Sequence, residues 1–197
     1  SGSTYSVRLS NSSTHLRELF KKVVCDEFGL RCDEQFGNRT PAIRTHSCLL
    51  AEILFRLGIP VSPKSETICM SDILLHLTNH KLAHFLAGLF DSDGSVNVRS
   101  TRGSNTIELY SCSSTLIKQV QLCLLRWGIY SSIRTRQQSN GLIKGKLEKY
   151  VLTLRGSALD TFKDAIDLRH PKKREKLKCL STKKHNTNID IILGSKE

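Results

Sequence analysis

Between residues 80 and 93, apolar side chains recur at Leu82, Leu86, Leu89 and Phe90, with Ala83, Ala87 and Gly88 set among them. Spacings of three and four residues predict an amphipathic helix, with Asn79 as its N-cap and Asp93-Gly94 as its end. Elsewhere the period is two: Tyr5, Val7 and Leu9, then Val96 and Val98, then Ile107 and Leu109 each alternate with polar neighbours and predict strands. The strand holding Val96 is expected to run from Ser95 to Thr101. Ser/Thr clusters follow the strands of Leu9 and Leu109, and their hydroxyls can accept from the first unpaired N–H groups of a helix. Helices are therefore expected over 14–27 and 115–127, stopped near Gly29 and Gly128. Glycine-containing hairpins around Gly37-Asn38 and Asn140-Gly141 come next, and each leads to an apolar helix, 48–57 and 159–168.

The same order of elements occurs twice. Ser10-Asn11-Ser12-Ser13-Thr14-His15-Leu16 corresponds to Ser111-Cys112-Ser113-Ser114-Thr115-Leu116-Ile117, an offset of 101 positions. The second copy reads helix-strand-strand-helix-strand-strand-helix, whereas the first opens at the strand of Tyr5. We therefore expect an incomplete unit over 4–70, a complete unit over 71–180 and a tail over 181–197. The fold class expected is α+β, two αββαββα-type repeats with antiparallel sheets, the first truncated at its start.

Charge narrows the partner. Lys plus Arg number 30 against 18 Asp plus Glu, a formal net charge of +12 that favours a polyanion such as nucleic acid. The basic excess is concentrated, since residues 134–184 hold 15 of those 30 cations and only 5 acids. No apolar run approaches the ~20 residues of a membrane span, and no signal-peptide pattern opens the chain. Seven scattered cysteines without a Cys-x-x-Cys pair argue against a thiolate zinc site and a disulfide framework, so an intracellular location is expected.

The stretch Leu86-Ala87-Gly88-Leu89-Phe90-Asp91-Ser92-Asp93-Gly94 resembles the signature motif of the LAGLIDADG homing endonucleases, departing from it at Phe90 and Ser92. The resemblance extends to the order of elements over most of residues 4–180. It implies a saddle of two sheets on double-stranded DNA and two motif helices packed side by side, each delivering one acid to the scissile phosphates. Here it assigns Asp93 as catalytic residue and ligand of Mg²⁺ or another hard divalent cation; Asp91 is read as a stabiliser of the helix end. The block Leu57 to Ser65 is similar to one found in intein-encoded members and places an assisting lysine at Lys64. The segment Arg169 to Lys176 implies the second such lysine at Lys173, with Lys172 and Lys176 as alternatives. Ala83, Ala87 and Gly88 would form the helix interface. The tail around Lys184 to Ile192 also looks intein-like, although no terminal splicing residues accompany it.

With only one motif, the second acid is expected from a homodimer or from a segment preceding residue 1. Alternation supplies the expected reading faces. Arg8, Arg44 and His46 would lie on the first sheet, and Asn97, Arg99, Arg134 and Arg136 on the second; Lys144, Lys146 and Lys172 add basic DNA-binding candidates. The function expected is site-specific double-strand DNA hydrolysis by an intein-derived domain. The alternatives are a binding module that retains the saddle without cutting, and an RNA-splicing maturase of the same fold.

Overall fold

A computed structural model describes residues 5–37, 40–61, 65–99, 105–137 and 148–180. Strand β1 (Ser6–Ser10), helix α1 (Thr14–Phe28), strands β2 (Asp33–Gln35) and β3 (Ala42–His46) and helix α2 (Cys48–Arg56) come first. A short α3 (Asp72–Leu75) leads into α4 (Asn79–Asp93), β4 (Gly94–Asn97) and β5 (Thr106–Ser111). Then follow α5 (Ser114–Leu125), β6 (Ser132–Gln137), β7 (Glu148–Leu154), α6 (Ala158–Ala165) and α7 (Pro171–Lys178). Both sheets are antiparallel. The first has the order β1-β3-β2 and the second β4-β5-β7-β6, so β5-β7-β6 repeats the first sheet's connectivity.

Of the two caps the sequence suggests, Ser113 forms one by accepting from Leu116 N, whereas Ser13 at the start of α1 makes no side-chain cap bond; Ser47 also caps α2 by accepting from Leu50 N. Helix α6 ends at Ala165, short of 168, because Ile166 is already extended, and the other helix ends move by one or two residues. Two further boundaries have a visible cause. Helix α4 begins at Asn79 itself, because the carbonyl of Thr78 takes the Leu82 amide. Strand β4 stops at Asn97, because the Asn105 side chain takes the Arg99 amide that would have continued the ladder.

The main core lies under the second sheet. Leu82, Leu86 and Phe90 of α4 pack toward β4 and β5, where Val96, Ile107 and Leu109 are buried. Ile117, Val120 and Leu124 of α5 and Phe162 of α6 close it, with the Phe90 and Phe162 rings edge to face at 4.7 Å. Each such side chain contributes about 1.5–3 kcal/mol by leaving water. The first sheet is less well covered. Val7 and Leu9 are only half-buried, with α1 and α2 the helices that contact β1.

The chain passes from α2 toward α4 through a close backbone contact. Gly58 has φ +98°, its carbonyl accepts from Cys69 N, and a Cβ there would lie 2.1 Å from Cys69 O. Beyond it, Met70 exchanges two hydrogen bonds with the Gln119 amide of α5 (2.7 and 2.9 Å), fastening this segment to the second unit. Gly58→Ala combines an unfavourable left-handed backbone with an overlap against main chain that no side chain can relieve. We expect a loss of about 2 kcal/mol or more in urea unfolding, and a loss below about 0.5 kcal/mol would mean that the turn adapts.

Candidate active site at the end of helix α4

The two acids of the motif have opposite environments. Asp91 is buried, 3% exposed, and spans to the start of α7: Oδ2 accepts from Arg169 N at 2.8 Å and Oδ1 from His170 N at 3.0 Å. It therefore satisfies two amides at the entrance of one helix while ending another. Asp93, two residues on, is exposed. Between them the Ser92 hydroxyl lies within 3.2 Å of the carbonyls of Gly88 and Leu89 and of Asp93 Oδ2.

Lys173 completes the helix end. Its Nζ donates to the carbonyls of Phe90 (2.8 Å), which also accepts from the capping Gly94 N–H, and of Asp91 (2.6 Å), at the end of the helix where carbonyls run out of amide partners. Burial lowers the Lys173 pKa, and the nearby Asp91 and Asp93 charges oppose that shift. A cation is thereby fixed at the negative end of the α4 dipole, within the field of Asp93. Gly94 permits the sharp exit into β4, since a Cβ there would stand 2.5 Å from Phe90 O.

A cleft of about 500 Å³ opens beside Asp93, lined among others by Ser65, Leu89, Tyr110, Leu116 and Lys149. Sequence reasoning missed Tyr110 and Lys149. The register was the signal that could have found them: Lys149 pairs with Arg136 and Tyr110 with Val151, which places both on the face of Arg134. Lys64 lies outside the described residues, although its neighbour Ser65 reaches this cleft.

Helix α4 does not present all three expected interface residues outward. Ala87 is 4% exposed and belongs to the chain's own core, so it cannot line an external seam. The helix turns it inward because it follows Leu86 on the side facing the sheet. Ala83 is half-buried, whereas Gly88 is exposed with open space around it. The outward stripe is Lys81, His84, Gly88 and Ser92, small toward the motif end but not apolar.

The expected reading faces are geometrically coherent in both sheets. Arg8 pairs with Arg44 and Ser6 with His46, so Arg8, Arg44 and His46 share one face of the first sheet. On the second, Ser95, Asn97, Ser132, Arg134 and Arg136 share a face. Arg99 falls just beyond β4 and is exposed; Lys172 is exposed on α7. Lys144 and Lys146 lie outside the described residues.

Residues 80–167, which contain this site, match the family model of the LAGLIDADG-like domain. This part of the chain belongs to the LAGLIDADG family. The LAGLIDADG fold extends further: a structure of mesophilic variants of the homing endonuclease I-DmoI superposes on 83% of this chain and 75% of its own, with a TM-score of 0.61 at 15% identity. Among curated proteins, the ATP-dependent DNA helicase Hel308 of Methanocaldococcus jannaschii is 41% identical over 113 residues, 54% of this chain and 9% of the helicase. A component of the A-type ATP synthase of Methanopyrus kandleri is 24% identical over 187 residues, 94% of this chain and 16% of that protein. The chain thus spans less than a fifth of either relative. No helix among the described residues is long and apolar enough to cross a membrane.

The contact between α4 and α7 is expected to weaken with acid. Burial, followed by the neighbouring Lys173 charge, lowers the His170 pKa below its ordinary value of about 6.5. A base held neutral by folding binds fewer protons in the native than in the unfolded state just below that value. Stability contributed by the neutral ring is therefore present above pH ~6.5 and is lost as pH falls through the ordinary value toward the depressed one. Thermal melting should decline from pH 7 to pH 5 less steeply in His170→Asn than in the parent. Equal slopes would show that His170 does not carry the dependence.

Proposed function

We propose that this chain is a metal-dependent, site-specific DNA endonuclease of the homing type, with Asp93 as the ligand of a divalent cation. The observation that carries the reading is the division of labour at the end of α4. Asp91 and Lys173 hold the helix terminus, and a second carboxylate is left exposed beside a cleft on a protein of net charge +12. I-DmoI has been solved in complexes with its target DNA and Mg, and with DNA and Mn or Ca, which supports a hard cation at the corresponding place.

The residues present suit such an ion in part. A carboxylate is a hard oxygen donor, and no cation other than Lys173 occupies the last turn of α4. Yet no group of three or more potential ligand side chains occurs among the described residues, so phosphate and water oxygens must make up most of the shell. When bound, the ion would activate water and neutralise the leaving oxygen in phosphodiester hydrolysis. Asp93 would hold it, Lys173 would fix the carboxylate's position, and the basic strands and α7 would neutralise the DNA backbone. Lys64 remains our proposal for an assisting lysine.

A single exposed carboxylate also motivates a second one, brought by another motif helix from a second copy or from a preceding segment of the natural chain. Gly88 and Ser92 leave room for close approach on the outward stripe. Sedimentation at micromolar concentration, with and without DNA, should show a dimer if a second copy supplies it; a monomer that cuts both strands would rule that source out. An intein origin is supported by the relatives. A DNA helicase and an ATP synthase component have unrelated activities, yet each contains a short segment like this one, as expected of a mobile insert.

The test is cleavage of a supercoiled plasmid library. Discrete nicked or linear products are expected with Mg²⁺ and not with EDTA. Retention of DNA without any cleavage, with Mg²⁺ or Mn²⁺ present, would instead favour a binding module.

A further inference from the structure

The polar face of the second sheet carries one acid among its described residues, and it stands at the centre. Glu108 lies on β5, an inner strand, in a cross-strand row running Ser95, Glu108, Thr153, Ser132. Its neighbours in that row are short hydroxyl residues, so the carboxylate is framed without being overtopped. Four strands at ~4.8 Å spacing make the row about 14 Å wide, comparable with the ~12 Å major groove of B-DNA. Arg134, Arg136 and Lys149 lie on the same face in the next rows, toward β6.

The hydrogen bonds at this centre are polarised in one direction. Asn97 Nδ2 lies within 3.4 Å of Ser95 Oγ, 3.2 Å of Thr106 Oγ1 and 3.3 Å of Glu108 Oε2. Three oxygens around one amide nitrogen fix its orientation and occupy both of its hydrogens. The Tyr110 hydroxyl also donates to Glu108 Oε2, and its pKa is raised by burial and by that bond. Both hydrogens of the Asn97 amide and the hydrogen of the Tyr110 hydroxyl are thus consumed internally. Glu108 Oε1, which has no hydrogen-bond partner among the described residues, is left as an outward acceptor held by a rigid support.

We infer that Glu108, braced by Asn97 and Tyr110, is a specificity-determining residue that accepts from the exocyclic amine of one cytosine in the major groove of the target. This rests on the DNA-binding reading above and deepens it. Cytosine presents a donor, N4, at its major-groove edge, whereas thymine presents O4 and guanine O6 and N7, all acceptors that a carboxylate repels. Adenine pairs its N6 donor with the N7 acceptor and is best met by the donor and acceptor of one side-chain amide, which a carboxylate cannot supply. The placement also makes sense of an acid on a basic surface: it adds nothing to phosphate affinity, and it penalises three of the four bases at one position.

The test is binding-site selection from a randomised duplex library with the full chain, followed by sequencing. The parent should enrich a site with an invariant cytosine at one position, where substitution weakens binding roughly 5- to 150-fold. Glu108→Gln should relax that position alone. Glu108→Asp keeps the charge but withdraws the acceptor by one methylene, so it should relax the same position; circular dichroism and melting confirm that each variant is folded. An unchanged selection profile in both folded variants overturns the inference while leaving the DNA-binding reading intact, as does selection of adenine, guanine or thymine at the affected position. A parent that enriches no sequence overturns both.

Discussion

Asp91→Ala will lower the unfolding free energy by about 3–5 kcal/mol, the range expected when one partner of a buried, charge-assisted hydrogen-bond set is removed. Three consequences add. Two amides at the entrance of α7, Arg169 N and His170 N, lose their buried acceptor at a partly buried junction. Lys173, half-buried and held against the last carbonyls of α4, loses a neighbouring opposite charge that favours its protonated form. A small void also replaces the carboxyl group. Asp91→Asn should fall between alanine and the parent, because its amide nitrogen must face one of those two N–H groups. Urea unfolding at pH 7 reads these differences directly. A loss below about 1 kcal/mol in the alanine variant would mean that α7 is held to α4 chiefly through Leu177 and the core, not through the carboxylate.

That dependence explains which parts of the site were legible in the sequence. Local periodicity was enough for α4, for the strands at Val7 and Ile107 and for the repeat of strand, helix and antiparallel strand pair, because those patterns are set by burial on one face. The motif's acids could be separated into a structural Asp91 and an exposed Asp93 from the resemblance, and the burial of one and exposure of the other follow that division. The partners of Asp91 could not be read, since Arg169 and His170 contribute backbone amides, which leave no trace in residue identity. The inward turn of Ala87 was also hidden. Small residues at helical spacing suggest a seam, but which seam depends on the rotation of α4 over β4 and β5, a tertiary fact. Tyr110, Glu108 and Lys149 escaped for a related reason. Each lies on a strand whose alternation is visible, yet they become neighbours only through the β4-β5-β7-β6 register.

Asp93→Asn will act in the opposite way to Asp91→Ala, abolishing metal-dependent cleavage with little cost to the fold. Asp93 is exposed, and among the described residues its one hydrogen bond is with the hydroxyl of the adjacent Ser92, so the unfolding free energy should stay within about 0.5 kcal/mol of the parent. Asparagine keeps the shape of the side chain but replaces a charged oxygen with a neutral amide. A hard divalent cation bound mainly through phosphate and water then loses the only exposed carboxylate on this helix end. Several kcal/mol of transition-state stabilisation depend on the ion, so the rate of plasmid nicking in Mg²⁺ should drop about a hundredfold or more. Raising the Mg²⁺ concentration should recover part of the loss if the defect is in holding the ion. Cleavage within tenfold of the parent at limiting Mg²⁺ would remove Asp93 from the metal site. In that case the exposed carboxylate is a helix-end residue like Asp91, and the cleft beside it would need a different catalytic group. The pair of variants is informative because each controls for the other: Asp91→Ala reports on the support, Asp93→Asn on the chemistry, and only the second should separate activity from stability.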